Sequence, residues 1–247
     1  MTRTTRRVSL TDPGRRYLDR GRRLLAEFAE AETEARGERA APRGTLRVNG
    51  PVSFSRARLG AAIPSFLAKY PDLVVELTVN DRMVDLIEEG FDVAVRIGRL
   101  ADSTLVARRL ADVTVQPVAS PGYLAAHGTP TRPEELAGHC CLAYDYSGDG
   151  GIWRFSGPDG QTAAIRPRGA LRANNGDILV EAALGGAGIA VQPGFILDDH
   201  LATGRLVRVL PEWNLPGLAL HAVHHQNRHV AAKVRAFVDH LVDWFRD

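Results

Sequence analysis

The chain has 247 residues, of which 45% are apolar and 24% charged, and its net charge is +2. That is room for one large or two modest domains, and the balance excludes a disordered or disulfide-stapled protein. No run approaches the roughly 18 apolar residues of a membrane span, and no apolar core follows the basic start as in a secretory signal, so a cytoplasmic protein without a membrane partner is expected.

The charge is unevenly placed. Residues 1–23 hold eight arginines against Asp12 and Asp19, a net of +6, so the remainder carries −4. Positive charge gathered at one end suits a polyanion such as nucleic acid, although it equally suits a solvated arginine-rich helix. The two cysteines, Cys140 and Cys141, are adjacent. They fit neither a disulfide nor a zinc spacing and read as reduced thiols.

In chain order, "RRVSL" alternates like one short strand. Thr11 then offers an N-cap and Pro13 sits in a first turn, where its missing N–H costs nothing. The helical pattern runs from 11 to Gly37, with apolar residues at Tyr17, Leu18, Leu24, Leu25 and Phe28. The pairs 17/24 and 18/25 recur every seven residues, which favours pairing with the same helix of a second chain; packing on its own domain is the alternative. The segment 38–44 reads as a hinge linker.

From residue 45 strands and helices alternate. "TLRVNG" (45–50), "LVVELTV" (73–79) and "DVAVRIG" (92–98) are strands, with helices at 53–69 and 83–89 between them. This order predicts an α/β fold with a parallel, doubly wound sheet. An extended run at 105–120 follows, then short helices near 121–127 and 133–137. Four short strands come next, then helices at 177–185 and 194–202 around the strand 188–193. The strands "LVRVL" and "LALHAVHH" and an amphipathic helix from Val230 close the chain. Two lobes are expected, lobe I at 45–117 and 208–247 and lobe II at 118–207, with a ligand between them at the carboxyl ends of strands.

Several phrases together resemble the LysR-type transcriptional regulators of bacteria. They are "RTTRRVSLTDPGRRYL", "RGTLRVNGPVSFSRARLGAAIPSFLAKYPDLVVEL", "DLIEEGFDVAVRIG", "LVARRLA", "ASPGYLAAHGTP", "WRFSGPDG", "LRANNGD" and "GGAGIAVQPGFI". They span the whole chain in register. The resemblance implies a winged helix-turn-helix domain, a dimerising linker helix (here 11–37) and a two-lobed effector domain (45–247) like a type II periplasmic binding protein. It also implies a homodimer or homotetramer that binds DNA and answers to a small molecule. Residues 1–10 match the remnant of the wing, and Arg3, Thr4, Thr5, Arg6 and Arg7 match its DNA-contacting stretch. The helix that enters the major groove precedes that stretch in the family and is not among these residues, so DNA binding is expected to be weak or lost.

In the effector domain, the turn "NGPVSFS" opens a helix, and helix N-termini favour anions. Ser53 and Ser55 are candidates to hold a carboxylate, with Phe54 as an apolar wall; alternatively Ser53 only caps its helix. Arg96, Ile97 and Gly98 end a strand on the same side. Arg96 either meets an anionic effector or holds Asp92 or Asp81. Asn174 and Asn175, just before Asp177, and Gln192 with Pro193 offer hydrogen-bonding groups from lobe II.

Histidines 221, 224, 225 and 229 show no convergent spacing, so no metal is expected. "GGAGIAV" follows a helix rather than a strand, the reverse of a dinucleotide fingerprint. No cofactor is expected. No catalytic constellation appears, so the expected function is regulation rather than catalysis. The alternative is a stand-alone small-molecule-binding or dominant-negative dimerisation module.

Overall fold

The structure is a computed structural model describing residues 41–98, 105–146, 150–226 and 230–246, with ten further positions between 10 and 28. Eight of those ten, from Pro13 to Phe28, are helical, in keeping with the helix expected there. Arg3, Thr4, Thr5, Arg6, Arg7 and Leu24 lie outside the described residues.

The first sheet begins with β1 (Gly44–Gly50), β2 (Leu73–Val79) and β3 (Val93–Ile97), paired in parallel in the order β2-β1-β3. Helix α1 connects β1 to β2. It runs through Val52–Phe54, a π-helical turn at Ser55–Leu59 and Gly60–Lys69. Helix α2 is shorter than the 83–89 expected, covering Leu86–Glu89 alone. Asp85 is extended there, and its carboxylate accepts the N–H groups of Ile87 and Glu88 at 2.8 and 3.0 Å. An acceptor side chain at that place starts a helix rather than continuing one.

The sheet is not wholly parallel. β4 (Leu105–Val113) leaves lobe I, and β12 (Leu218–His225) returns and inserts between β3 and β4, antiparallel to both. A strand that comes back from the second lobe must enter from the opposite end, which local periodicity does not reveal. The expected parallel sheet is therefore corrected to a mixed one.

Helices do lie on both faces, as a doubly wound arrangement requires. On one face α1 packs against α6 (Ala232–Trp244), with Phe66 and Phe237 in edge contact at 5.1 Å. Leu46, Val48, Val93 and Leu241 fill the space beneath them and are fully buried. On the other face Leu86 of α2 meets Ala94 and Val223.

Lobe II is built on a second five-stranded sheet of β5 (Val115–Ala119), β6 (Cys141–Tyr144), β9 (Arg172–Ala173), β10 (Ile189–Pro193) and β11 (Val207–Arg208), in the order β11-β5-β10-β6-β9. A hairpin, β7 (Trp153–Ser156) with β8 (Thr162–Ile165), adds Trp153 and Phe155 to its core. Helix α3 (Pro121–His127), helix α4 (Gly176–Leu184) and helix α5 (Gly194–Ala202) surround it. The run 105–120 is extended but crosses between sheets at Thr114, whose carbonyl accepts the N–H of Gly194 at 3.0 Å. Of "LVRVL", only Val207 and Arg208 join the sheet; Val209, Leu210 and Trp213 bury their side chains in lobe II. Sheet membership thus changes near 114, a few residues before the expected 117/118, and again between 213 and 218, later than the expected 207/208 because Val209, Leu210 and Trp213 still pack in lobe II.

Candidate functional site

β1 and β3 end at the junction of the lobes, as does β10. After Gly50 the chain turns directly into α1, and a side-chain carbon on Gly50 would stand 2.6 Å from the Ser55 hydroxyl. Ser55 therefore points back onto its own strand. It is 5% exposed, and its hydroxyl has no hydrogen-bond partner. Phe54 is not a cleft wall. Its ring packs in the core between Phe195 of lobe II, at 5.2 Å, and Phe245, at 5.6 Å.

Ser53 does face the other lobe, but its hydroxyl is committed. It donates to Oδ2 of Asp177, on α4, at 2.7 Å. Arg56 donates to Oδ1 of the same carboxylate at 2.5 Å, and Arg58 pairs with Asp198 of α5 at 3.2 Å. A second carboxylate serves the start of α1: Oδ1 of Asp81 accepts the Val52 N–H at 3.0 Å. Its Oδ2 accepts from Nδ2 of Asn175, in the other lobe, at 3.1 Å. Asn175 also caps α4, its Oδ1 taking the Ile178 N–H at 3.3 Å. The N-terminus of α1 favours anions, and the protein's own carboxylates already stand there.

Arg96 holds neither Asp92 nor Asp81 in a direct bond. Asp92 accepts the Arg47 N–H and pairs with Lys233. Arg96 donates Nη1 to the Val95 carbonyl at 2.9 Å, and its Nη2 is buried with no partner. Burial pushes this guanidinium below its ordinary pKa, opposed by the charge of Glu89. Glu89 is itself held below the usual carboxylate range by the hydrogen bonds from Arg82. Ile97 packs partly into the lobe I core. Gly98 has φ of +140° and lines a hollow of about 520 Å³ with Arg109, Leu218 and His221.

From lobe II, Gln192 is 3% exposed and its Nε2 has no partner. Pro193 ends β10 and precedes α5. Asn174 is exposed, its Nδ2 lying 3.5 Å from the Tyr146 hydroxyl. Tyr144 and Tyr146 meet edge to face at 6.1 Å, and burial raises the Tyr144 pKa.

The structure thus brings Ser53, Asn175 and Gln192 together with Asp81 and Asp177 at the interlobe junction. It turns Ser55 and Phe54 inward. Arg56, Arg58, Asp198 and Phe195 are not among the site residues expected from the sequence, and their partners lie too far along the chain for spacing to signal them. Among the described residues, no three His, Cys, Asp or Glu side chains gather as a metal site. His224 is buried, with Nδ1 2.9 Å from the His225 carbonyl oxygen, and His229 lies outside the described residues. Among the described residues no helix is long and apolar enough to cross a membrane.

Residues 39–246 match the LysR substrate binding domain. The chain is 37% identical over 244 residues to the HTH-type transcriptional regulator CrgA of Neisseria meningitidis, covering 98% of this chain and 81% of that protein. It is 35% identical to the HTH-type transcriptional regulator PtxR of Pseudomonas aeruginosa, covering 98% of this chain and 77% of that one. Among solved structures, full-length AphB, a Vibrio cholerae virulence activator, superposes with a TM-score of 0.74 at 30% identity, covering 99% of this chain and 83% of that chain. The structure of CrgA superposes with a TM-score of 0.73 at 35% identity, covering 100% of this chain and 83% of that one. The protein therefore belongs to the LysR family of transcriptional regulators, and residues 39–246 are its effector-binding domain.

Proposed function

We propose that the cleft between the lobes binds a small anion, a carboxylate, and that its occupancy sets the regulatory state of the protein. The observation that carries this reading is a pair of buried donors without partners, Nη2 of Arg96 and Nε2 of Gln192. They come from opposite lobes, Arg96 from β3 and Gln192 from β10. Arg96 feels the charge of Asp81, and Gln192 lies against Gly176, the neighbour of Asn175. A buried donor left unpaired costs about 1–3 kcal/mol, so a ligand acceptor that reaches both gains that amount. Ser53 and Asn175, which meet Asp177 and Asp81 across the lobe junction, complete the surroundings of this site. Calorimetric titration with aromatic and short-chain carboxylates tests it. A binder is expected to lose at least tenfold in affinity on Arg96→Gln, about 1.4 kcal/mol; equal binding by the variant overturns the assignment.

Two further parts belong to the same reading. Tyr17, Leu18, Leu25 and Phe28 are each helical and are 83, 38, 72 and 66% exposed, apolar surface that a second copy would cover. With Leu24 they form the seam for a second copy, and a dimer is expected in sedimentation equilibrium. Arg3, Thr4, Thr5, Arg6 and Arg7 contact DNA phosphates and the minor groove, which positions a protein without selecting sequence. DNA binding through this stretch is expected to show a steep inverse salt dependence, testable by gel shift across a salt series. The protein acts in the cytoplasm, as a regulator rather than an enzyme.

A further inference from the structure

We infer that Asp177 is a resident anion that latches the two lobes together when no effector is bound. Each of its oxygens takes one donor from the first turns of α1, Oδ2 from Ser53 and Oδ1 from Arg56. Asp177 sits in the first turn of α4, where the helix dipole also favours its charge. One carboxylate from lobe II thus lies between two helix starts and bonds only into lobe I. A hydrogen bond from a buried hydroxyl to a carboxylate is charge-assisted and stronger than a neutral one. In the Arg58–Asp198 pair the carboxylate is 59% exposed, against 26% for Asp177, and that pair contributes less.

The lobes are joined covalently only by the crossings near Thr114 and before Leu218. Such hinged bodies open and close at small cost, so the few contacts spanning the cleft decide the balance. The Asp81–Asn175 bond and the Phe54–Phe195 contact lie beside the latch and act in the same direction. The consequence for effector entry rests on the proposed function. A ligand carboxylate that reaches the Ser53 hydroxyl does so by displacing Asp177. Effector binding at that end and loss of the interlobe bond are then one event.

Hydrogen–deuterium exchange of the full chain, without effector, tests the latch. In Asp177→Ala the amides of 52–59 and 176–184 are expected to exchange severalfold faster than in the wild type. Asp177→Asn keeps an acceptor for Ser53 but loses the ion pair, and an intermediate rate is expected. Loss of a helix-start residue alone also speeds exchange, so acetate serves as the discriminating probe. Acetate is expected to fill the vacated position and restore protection to Asp177→Ala along a saturating curve. No such restoration is expected in the Ser53→Ala/Asp177→Ala double variant or in the wild type. Exchange in Asp177→Ala at the wild-type rate overturns the inference, as does acetate acting equally with and without Ser53. Because no effector is used, failure here leaves the titration of the Arg96 site as a separate result.

Discussion

A side-chain carbon on Gly176 would stand 2.6 Å from Oε1 of Gln192, so the start of α4 approaches the end of β10 as bare backbone. The nearness is what buries Gln192 and directs its amide. Ile196 crowds the same point, at 2.9 Å. Gly176→Ala must push Gln192 aside, and overpacking of this kind costs about 1–3 kcal/mol. Urea denaturation is expected to show that loss, and carboxylate affinity is expected to fall with it, because the displaced amide is one of the donors proposed for the ligand.

Asn175 has two tasks, and they separate by mutation. Its Oδ1 caps α4 and its Nδ2 reaches Asp81 in the other lobe. Asn175→Ala loses both, with an expected cost of about 0.5–2 kcal/mol for the cap. Asn175→Asp keeps the cap but sets a second carboxylate against Asp81. Adding Asp81→Asn to Asn175→Asp is therefore expected to raise the thermal midpoint relative to Asn175→Asp alone.

Phe66, on α1, packs against α6 and the first sheet. It is fully buried, with the rings of Phe237 and Tyr70 each at 5.1 Å. Phe66→Ala is expected to cost about 3–5 kcal/mol in denaturant titration, the range for removing a buried aromatic ring from a packed core.

Cys141 and Cys140 are neighbours in different surroundings, buried and half-buried. Burial pushes the Cys141 thiol up to about 11 from its ordinary 9.0. The folded protein thus holds this proton more tightly than the unfolded chain. The resulting stability is fully present below pH 9 and is lost as pH rises toward 11. The midpoint of the wild type is expected to fall faster than that of Cys141→Ala across this window. Alkylation of the native protein near neutral pH is expected to label Cys140 well ahead of Cys141.

Much of the fold was legible in the sequence. The runs "LVVELTV" and "LALHAVHH" coincide with β2 and β12, because period-two patterns and their bounding turns are local. Asn175 was readable as a cap, and Ser53 as a polar group at a helix start facing the cleft. The antiparallel entry of β12 was not readable, since strand direction in a sheet depends on where the chain returns after a whole second lobe. Nor was the commitment of the cleft groups to one another. Ser53 meets Asp177 across 124 positions and Asn175 meets Asp81 across 94. A sequence shows which side chains can donate and which can accept; only the closing of two lobes decides which of them are spent on each other and which, like Nη2 of Arg96 and Nε2 of Gln192, are buried without a partner.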